Sequence, residues 1–190
     1  LLFVLKNLMD QNNIHSGMAG IVLVGGRSSR MGQSKALLNF KGQPLYQHMT
    51  ALLHSCGLRE VILAGEVAGA ANCIQEPVPH MGPARALAYI ISQLNNRFQY
   101  LLVVPVDMPL LTPALLSQLM RRNSPCYFEQ HPLPALLACQ TPPADATSMR
   151  DLLGAQQAQA LKLPEMADPS MQNFNTPEEW ALLQAGLGNQ

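Results

Sequence analysis

The chain is poor in charge: only 13% of its 190 residues are charged, and 12 basic residues balance 12 acidic ones. A formally neutral protein lacks the positive excess needed to coat nucleic acid or an anionic membrane surface, so neither is an expected partner. Long apolar runs are missing too. Residues 1–9 (LLFVLKNLM) are too short to span a bilayer. They also lack the basic region and small-residue cleavage site of a secretory signal. Residues 1–17 are read as an N-terminal extension, with an amphipathic helix docked on the domain as the alternative, and residues 18–190 as the folded domain. Paired cysteines are absent: Cys56, Cys73, Cys126 and Cys139 form no CxxC motif. That disfavours a zinc or redox site and points to free thiols in a reducing, cytoplasmic compartment. The five histidines show no metal-ligand spacing, and there is no internal repeat. What is present, at 48% apolar residues, is the composition of a compact domain with a real core.

Short β-rich runs alternate with helical periodicity. Residues 21–24 (IVLV) read as a buried strand that ends at a double glycine. Leu45, Met49, Leu52, Leu53 and Cys56 share one helix face, and Gly57 stands where that helix should stop. Residues 61–63 form the next strand and residues 72–74 a short third one. Leu87, Ile90, Ile91 and Leu94 mark a second helix, opened by Gly82 and Pro83. Residues 100–106 (YLLVVPV) are the most β-like run, closed by Asp107, and Pro113 starts a helix that continues to Met120. Further on, residues 126–129 and 136–139 read as paired strands around a turn at HPLP, residues 131–134. Residues 148–153 and 178–183 look helical, with Thr176 as N-cap and Pro177 as the first helical residue of the latter. This order implies an α/β fold with parallel strands, crossover helices, and ligands beyond the carboxyl ends of the strands.

Chemistry gathers at two such ends. In residues 25–35 (GGRSSRMGQSK), Gly25 and Gly26 let backbone amides approach a phosphate closely. Arg27, Arg30 and Lys35 add three cations, and Ser28 and Ser29 add hydroxyl donors. A triphosphate with about four negative charges calls for this composition. The spacing is neither that of a P-loop, since Ala36 follows Lys35, nor the dinucleotide GxGxxG. Asp107, at the end of its strand, is placed to hold Mg2+, which takes carboxylate oxygen together with water and phosphate oxygens. The alternative is an aspartate that caps its own turn. Residues 76–85 (EPVPHMGPAR) either close over a base or ribose, with Glu76 accepting hydrogen bonds, or simply form a rigid connection. Asn173 and Asn175, in NFNTPE, either bind a polar ligand or set up the following helix as Asx-turn residues.

LVGGRSSRMGQSKALL resembles the signature LAGGxSxRMGxDKxLL of nucleotidyltransferases. MGPARAL, VVPVDMPLL, HPLPALL and NFNTPEEW resemble, in the same order, the GPLAGI, PCDMPxL, QPLxALY and NxNTPEDL segments of the molybdenum cofactor guanylyltransferases, the MobA type. The resemblance covers residues 19–180 and implies a single three-layer, Rossmann-like nucleotidyltransferase domain of the nucleotide-diphospho-sugar transferase type, with a mostly parallel sheet. It further implies transfer of GMP from GTP to molybdenum-bound molybdopterin, with Mg2+ as cofactor and pyrophosphate as the second product. Molybdoenzyme-specific chaperones or other cofactor-synthesis proteins are the implied further partners.

By matched position, Arg30 and Lys35 are the implied catalytic cations. Leu23, Val24, Gly25, Gly26, Lys35, Glu76 and Asp107 border GTP, Asp107 holds the metal, and Asn173 and Asn175 line the pterin side. The N-terminal half would then bind GTP and the C-terminal part the pterin. The chain departs from the pattern at Ser34, where an acid usually precedes the lysine, at Glu76 for an aspartate, at Arg85 for a small residue, and at Val106. Two alternatives stand beside this reading: a cytidylyltransferase acting on the same pterin, and a nucleotide-binding homologue with weak catalysis.

Overall fold

The computed structural model describes residues 17–25, 34–78, 81–94, 97–140, 146–165 and 167–187. Seven strands form one sheet: β1 (Met18–Leu23), β4 (Val61–Ala64), β5 (Cys73–Ile74), β6 (Tyr100–Pro105), β7 (Cys126–Phe128), β8 (His131–Ala138) and β9 (Gln159–Leu161). Their spatial order is β5-β4-β1-β6-β8-β7-β9. The first four run parallel; β8 then runs antiparallel to both β6 and β7, and β9 pairs parallel with β7. A separate two-stranded hairpin joins β2 (Asn39–Phe40) to β3 (Gln43–Pro44).

Alternate residues of β1 feed two cores. Val22 packs with α1 (Leu45–Ser55), α3 (Pro113–Met120) and α5 (Pro177–Leu187), through residues such as Met49, Leu116 and Trp180. Ile21 and Leu23 pack with α2 (Pro83–Leu94) and α4 (Met149–Ala155), through residues such as Leu87, Ile91 and Leu152. The sheet is therefore the middle layer of three. Burial on both faces explains why its central strands read as continuous apolar runs rather than alternating ones.

The chain runs from β1 outward to β4 and β5, then returns to β6 on the other side of β1. That reversal opens a crevice at the carboxyl ends of β1 and β6, where ligands of open α/β sheets bind. Leu23 O accepts a hydrogen bond from Val106 N at 3.0 Å, which holds the two strand ends together.

The strand that should turn at HPLP does not. His131, Pro132, Leu133 and Pro134 lie inside β8, and the turn is made by Glu129 and Gln130, the latter with φ 67°. Proline survives here because β6 pairs only with the later part of β8, from Ala135 onward, so Pro132 and Pro134 lie before the paired stretch of that ladder. β6 stops at Pro105, one residue before the expected end, and Val106 already belongs to the turn that presents Asp107. Among the described residues no helix is long and apolar enough to cross a membrane.

Candidate active site

Lys35 is the centre of the site. It opens a single 3-10 turn, Lys35–Leu37, anchored by the fully buried Ala36. Its ammonium donates to Asp107 Oδ2 at 2.9 Å, to the carbonyl of Phe174 at 2.5 Å and to Asn175 Oδ1 at 3.1 Å. It also lies 5.0 Å from the centre of the Phe174 ring. Three ammonium protons thus meet three protein oxygens. The pair is largely shielded from water, with side-chain exposures of 14% for Lys35 and 22% for Asp107, so screening weakens it less than a surface pair.

Asp107 turns its carboxylate to Lys35, not to its own turn, while its backbone carbonyl accepts from Phe174 N at 3.2 Å. Asn175 is fixed from behind: Glu179 Oε2 accepts from its backbone N–H at 2.5 Å and from Thr176 N at 3.3 Å, and Thr176 Oγ1 accepts from Glu179 N at 3.2 Å. This reciprocal pair caps α5 and leaves the Asn175 side chain free for Lys35. The T-x-x-E spacing that announces it is present in the sequence. Behind the site, Phe174 stacks on Trp180 (4.6 Å between centroids), Trp180 meets Phe40 (5.9 Å), and Phe40 meets His48 (4.6 Å). His48 Nε2 lies 2.9 Å from Pro109 O, so this aromatic chain ends on the turn that carries Asp107. A carbonyl can only accept, so Nε2 carries the proton. Burial, followed in weight by the Pro109 bond that opposes it and the charge of Lys41, pushes the His48 pKa below the ordinary histidine value.

At the end of β1, Val24 N and Gly25 N both donate to Ala64 O at 3.1 Å. The β4 end comes close here: a Cβ on Gly65, whose φ is +121°, would lie 2.9 Å from Gly25 N. A Cβ on Gly25 would lie 2.9 Å from Glu76 Oε1. Glu76 is therefore seated beside the glycine, although it does not line the cavity itself. That cavity, about 560 Å³, is bordered on the β1 side by Leu23, Val24 and Gly25, and by Pro83 at the start of α2. Lys35, Asp107, Asn173 and Asn175 also line it. Gly26 and Arg30, with Arg27, Ser28, Ser29 and His80, lie outside the described residues.

Residues 20–161 match the family model described as a MobA-like NTP transferase domain. The chain belongs to this family of nucleotidyltransferases. A molybdenum cofactor guanylyltransferase from Xanthomonas euvesicatoria pv. vesicatoria is 38% identical over 86% of this chain and 93% of its own length. A probable molybdenum cofactor guanylyltransferase from Chloroflexus aggregans is 30% identical over 92% of this chain and 97% of its own. Among solved structures, the molybdopterin-guanine dinucleotide biosynthesis protein A from Archaeoglobus fulgidus shares the fold with a TM-score of 0.67, covering 91% of this chain and 100% of that one at 16% identity.

Within this nucleotidyltransferase fold, one wall of the cavity was not visible in the sequence. Gln130, His131, Pro132 and Leu133 border it from the β8 side. The HPLP prolines suggested a turn, and a single histidine carries no spacing signal, so only the antiparallel path of β8 reveals the wall.

The donor set at the centre suits a hard cation: the Asp107 carboxylate, the Phe174 carbonyl and the Asn175 amide oxygen converge on one point, now met by an ammonium. Among the described residues no three His, Cys, Asp or Glu side chains group as a metal site. No cysteine borders this cavity among the described residues. Burial pushes the Cys126 thiol up to about 11 and raises Cys56 and Cys139 as well, so none of these three is a thiolate near neutral pH.

Proposed function

We propose that this chain transfers GMP from GTP to molybdenum-bound molybdopterin, giving the guanine dinucleotide form of the cofactor and pyrophosphate. The observation that carries the reading is the Lys35–Asp107 centre, a cation and a carboxylate 2.9 Å apart at the crevice between β1 and β6. Relatives named molybdenum cofactor guanylyltransferase, matched over most of both chains, supply the substrate class.

In this reading the terminal phosphate of the pterin attacks the α-phosphate of GTP. Phosphoryl chemistry of this kind asks the protein for alignment and charge neutralisation rather than a nucleophile. Leu23, Val24 and Gly25 border the nucleotide, joined by Gly26 through its place in the motif, and Glu76, packed on Gly25, is assigned to its sugar or base. Lys35, with Arg30 by its place in the motif, counters charge on the phosphates. Asp107 would hold Mg2+, which would supply further positive charge to the phosphates when bound. Asn173 and Asn175 orient the pterin. The N-terminal half thus serves GTP and the C-terminal part the acceptor. The work takes place in the cytoplasm, and the finished cofactor passes to molybdoenzyme-specific chaperones or other cofactor-synthesis proteins.

The test is pyrophosphate release by the purified protein with Mg2+, molybdenum-loaded molybdopterin and each of GTP, CTP, ATP and UTP. Release with GTP alone supports the reading. Release with CTP instead would make the protein a cytidylyltransferase. GTP binding without release from any nucleotide would leave a nucleotide-binding homologue.

A further inference from the structure

We infer that His131 is a further acceptor-side contact of the cavity beside Asn173 and Asn175, the residue whose ring N–H holds the anionic phosphate of the second substrate. This rests on the transfer reaction proposed above and names a residue for its second half.

Topology puts His131 at the right edge. β8 runs antiparallel to β6, so its first residues, not its last, lie where β6 ends. The register pairs Val103 with Ala135. Asp107 follows Val103 by four residues and His131 precedes Ala135 by four, so both sit toward this end of the sheet. Both residues border the same cavity. β8 lies on the far side of β6 from β1, so His131 and the Leu23–Gly25 backbone face each other across the Asp107 turn. A nucleotide seated against β1 leaves the β8 wall to whatever reacts with it.

The rest of that wall is mainly apolar. Pro132 and Leu133 follow His131, Met171 borders the same cavity, and Gln130, from the preceding turn, is the other polar residue on the β8 side. The remaining described histidines are engaged: His48 Nε2 meets Pro109 O and His54 Nδ1 meets Leu58 O, each at 2.9 Å. His131 makes no such bond among the described residues, and it is only partly buried. Its imidazole always has at least one N–H to donate and has not committed it to the fold.

The chemistry asks for a donor at this place. An oxygen of the acceptor phosphate forms a bond to the α-phosphorus of the nucleotide. The bond from that phosphorus to the bridging oxygen of the β-phosphate breaks, and pyrophosphate leaves with the electron pair. The attacking oxygen is already an anion, so no proton has to be removed. His131 acts as a hydrogen-bond donor that aims the phosphate, not as a base.

The full-length protein tests this with Mg2+, GTP and molybdenum-loaded molybdopterin. His131→Ala should raise the acceptor KM roughly tenfold or more, as expected for a lost hydrogen bond to a charged group. The Kd for GTP, titrated without acceptor, and the melting temperature should stay at the wild-type values. His131→Gln keeps an N–H donor and should recover most of the loss. An unchanged acceptor KM in His131→Ala, or a change in GTP affinity in its place, overturns the assignment. Equilibrium binding of the pterin to wild type and His131→Ala tests the same contact without turnover, and equal affinities overturn it. A wild type that binds pterin more tightly than His131→Ala yet releases no pyrophosphate sinks the transfer reaction alone and still supports His131 as the pterin contact.

Discussion

Lys35 has no idle proton: each is held by an oxygen from a distant part of the chain. Incoming phosphate must draw the ammonium away from some of these oxygens, while a cation at Asp107 would take over the carboxylate it leaves. Lys35→Ala removes the positive partner and leaves a shielded carboxylate facing the phosphates. GTP affinity should fall by roughly ten- to a hundredfold, the range for hydrogen bonds to charged groups. Calorimetric titration with Mg2+ checks this, and wild-type affinity would sink the role given to Lys35. Gly25→Ala probes the other side. The new Cβ is crowded by the tip of Glu76, at 2.9 Å, which can swing away, and meets Ala64 O at an ordinary 3.6 Å. Stability should change by no more than about 0.5 kcal/mol, as at an ordinary surface site. Nucleotide affinity should drop, because Glu76 no longer sits where it did. A large fall in melting temperature with unchanged GTP binding would show that Gly25 serves the fold instead. These residues could be read from the sequence because lysine, aspartate, asparagine and paired glycine carry recognisable chemistry at element ends. Their meeting could not. The 2.9 Å contact of Lys35 with Asp107 spans 72 positions and depends on sheet order.

The elements were readable where local physics decides them. The helix ending at Gly57, the one opened by Pro113 with Thr112 as its cap, and the one begun at Pro177 all stand where capping rules put them. The misses are elements that tertiary pairing makes. β9 is three residues, two of them exposed, and exists through its ladder to β7. The β2–β3 hairpin turns on Lys41 and Gly42, both at positive φ, a two-residue loop that a lone lysine-glycine pair announces weakly. Its strand residue Phe40 packs against His48 of α1, which gives the hairpin a measurable consequence. His48 is held neutral in the folded chain, with its pKa lowered mainly by burial. Below about pH 6.5 the unfolded chain takes up a proton that the folded one resists. The contribution of this site to stability is therefore complete above the ordinary histidine range and is lost as pH falls toward the lowered folded value. Urea melts at about pH 7 and about pH 5.5 should show a steeper acid loss for wild type than for His48→Gln, which does not titrate. Equal losses would mean that His48 protonates freely in the fold.

At the scale of the whole molecule, the crevice belongs to no single element. Leu23 ends β1 with Val24 and Gly25 just after it, Asp107 follows β6, the β8 wall comes from the antiparallel half of the sheet, and Asn173 and Asn175 arrive with the C-terminal segment. Alternation of strands and helices made the parallel half predictable, and the β7–β8 pair was expected with its turn at residues 131–134 instead of Glu129 and Gln130, whereas the antiparallel place of β8 beside β6 left no local mark in the sequence. Because the site is assembled by the entire fold, it does not exist in the unfolded chain, and a ligand that fills it must stabilise the whole domain. At a hundredfold over its dissociation constant GTP with Mg2+ should add about 2.7 kcal/mol. For a domain of this size that corresponds to a rise of roughly 5–10 °C in melting temperature. GTP without Mg2+ should give a smaller rise, since the Asp107 carboxylate then repels the phosphates once Lys35 has left it. CTP, ATP and UTP at equal concentration should fall short of GTP, because the phosphate contacts are shared and the difference reports the base alone. Equal shifts from all four would mean that the crevice holds the triphosphate without reading the base. A rise with CTP only would move the protein to the other pterin nucleotidyltransferase. A metal-independent rise with GTP would take the cation away from Asp107 and leave Lys35 as the sole counter-charge among the described residues that border the cavity.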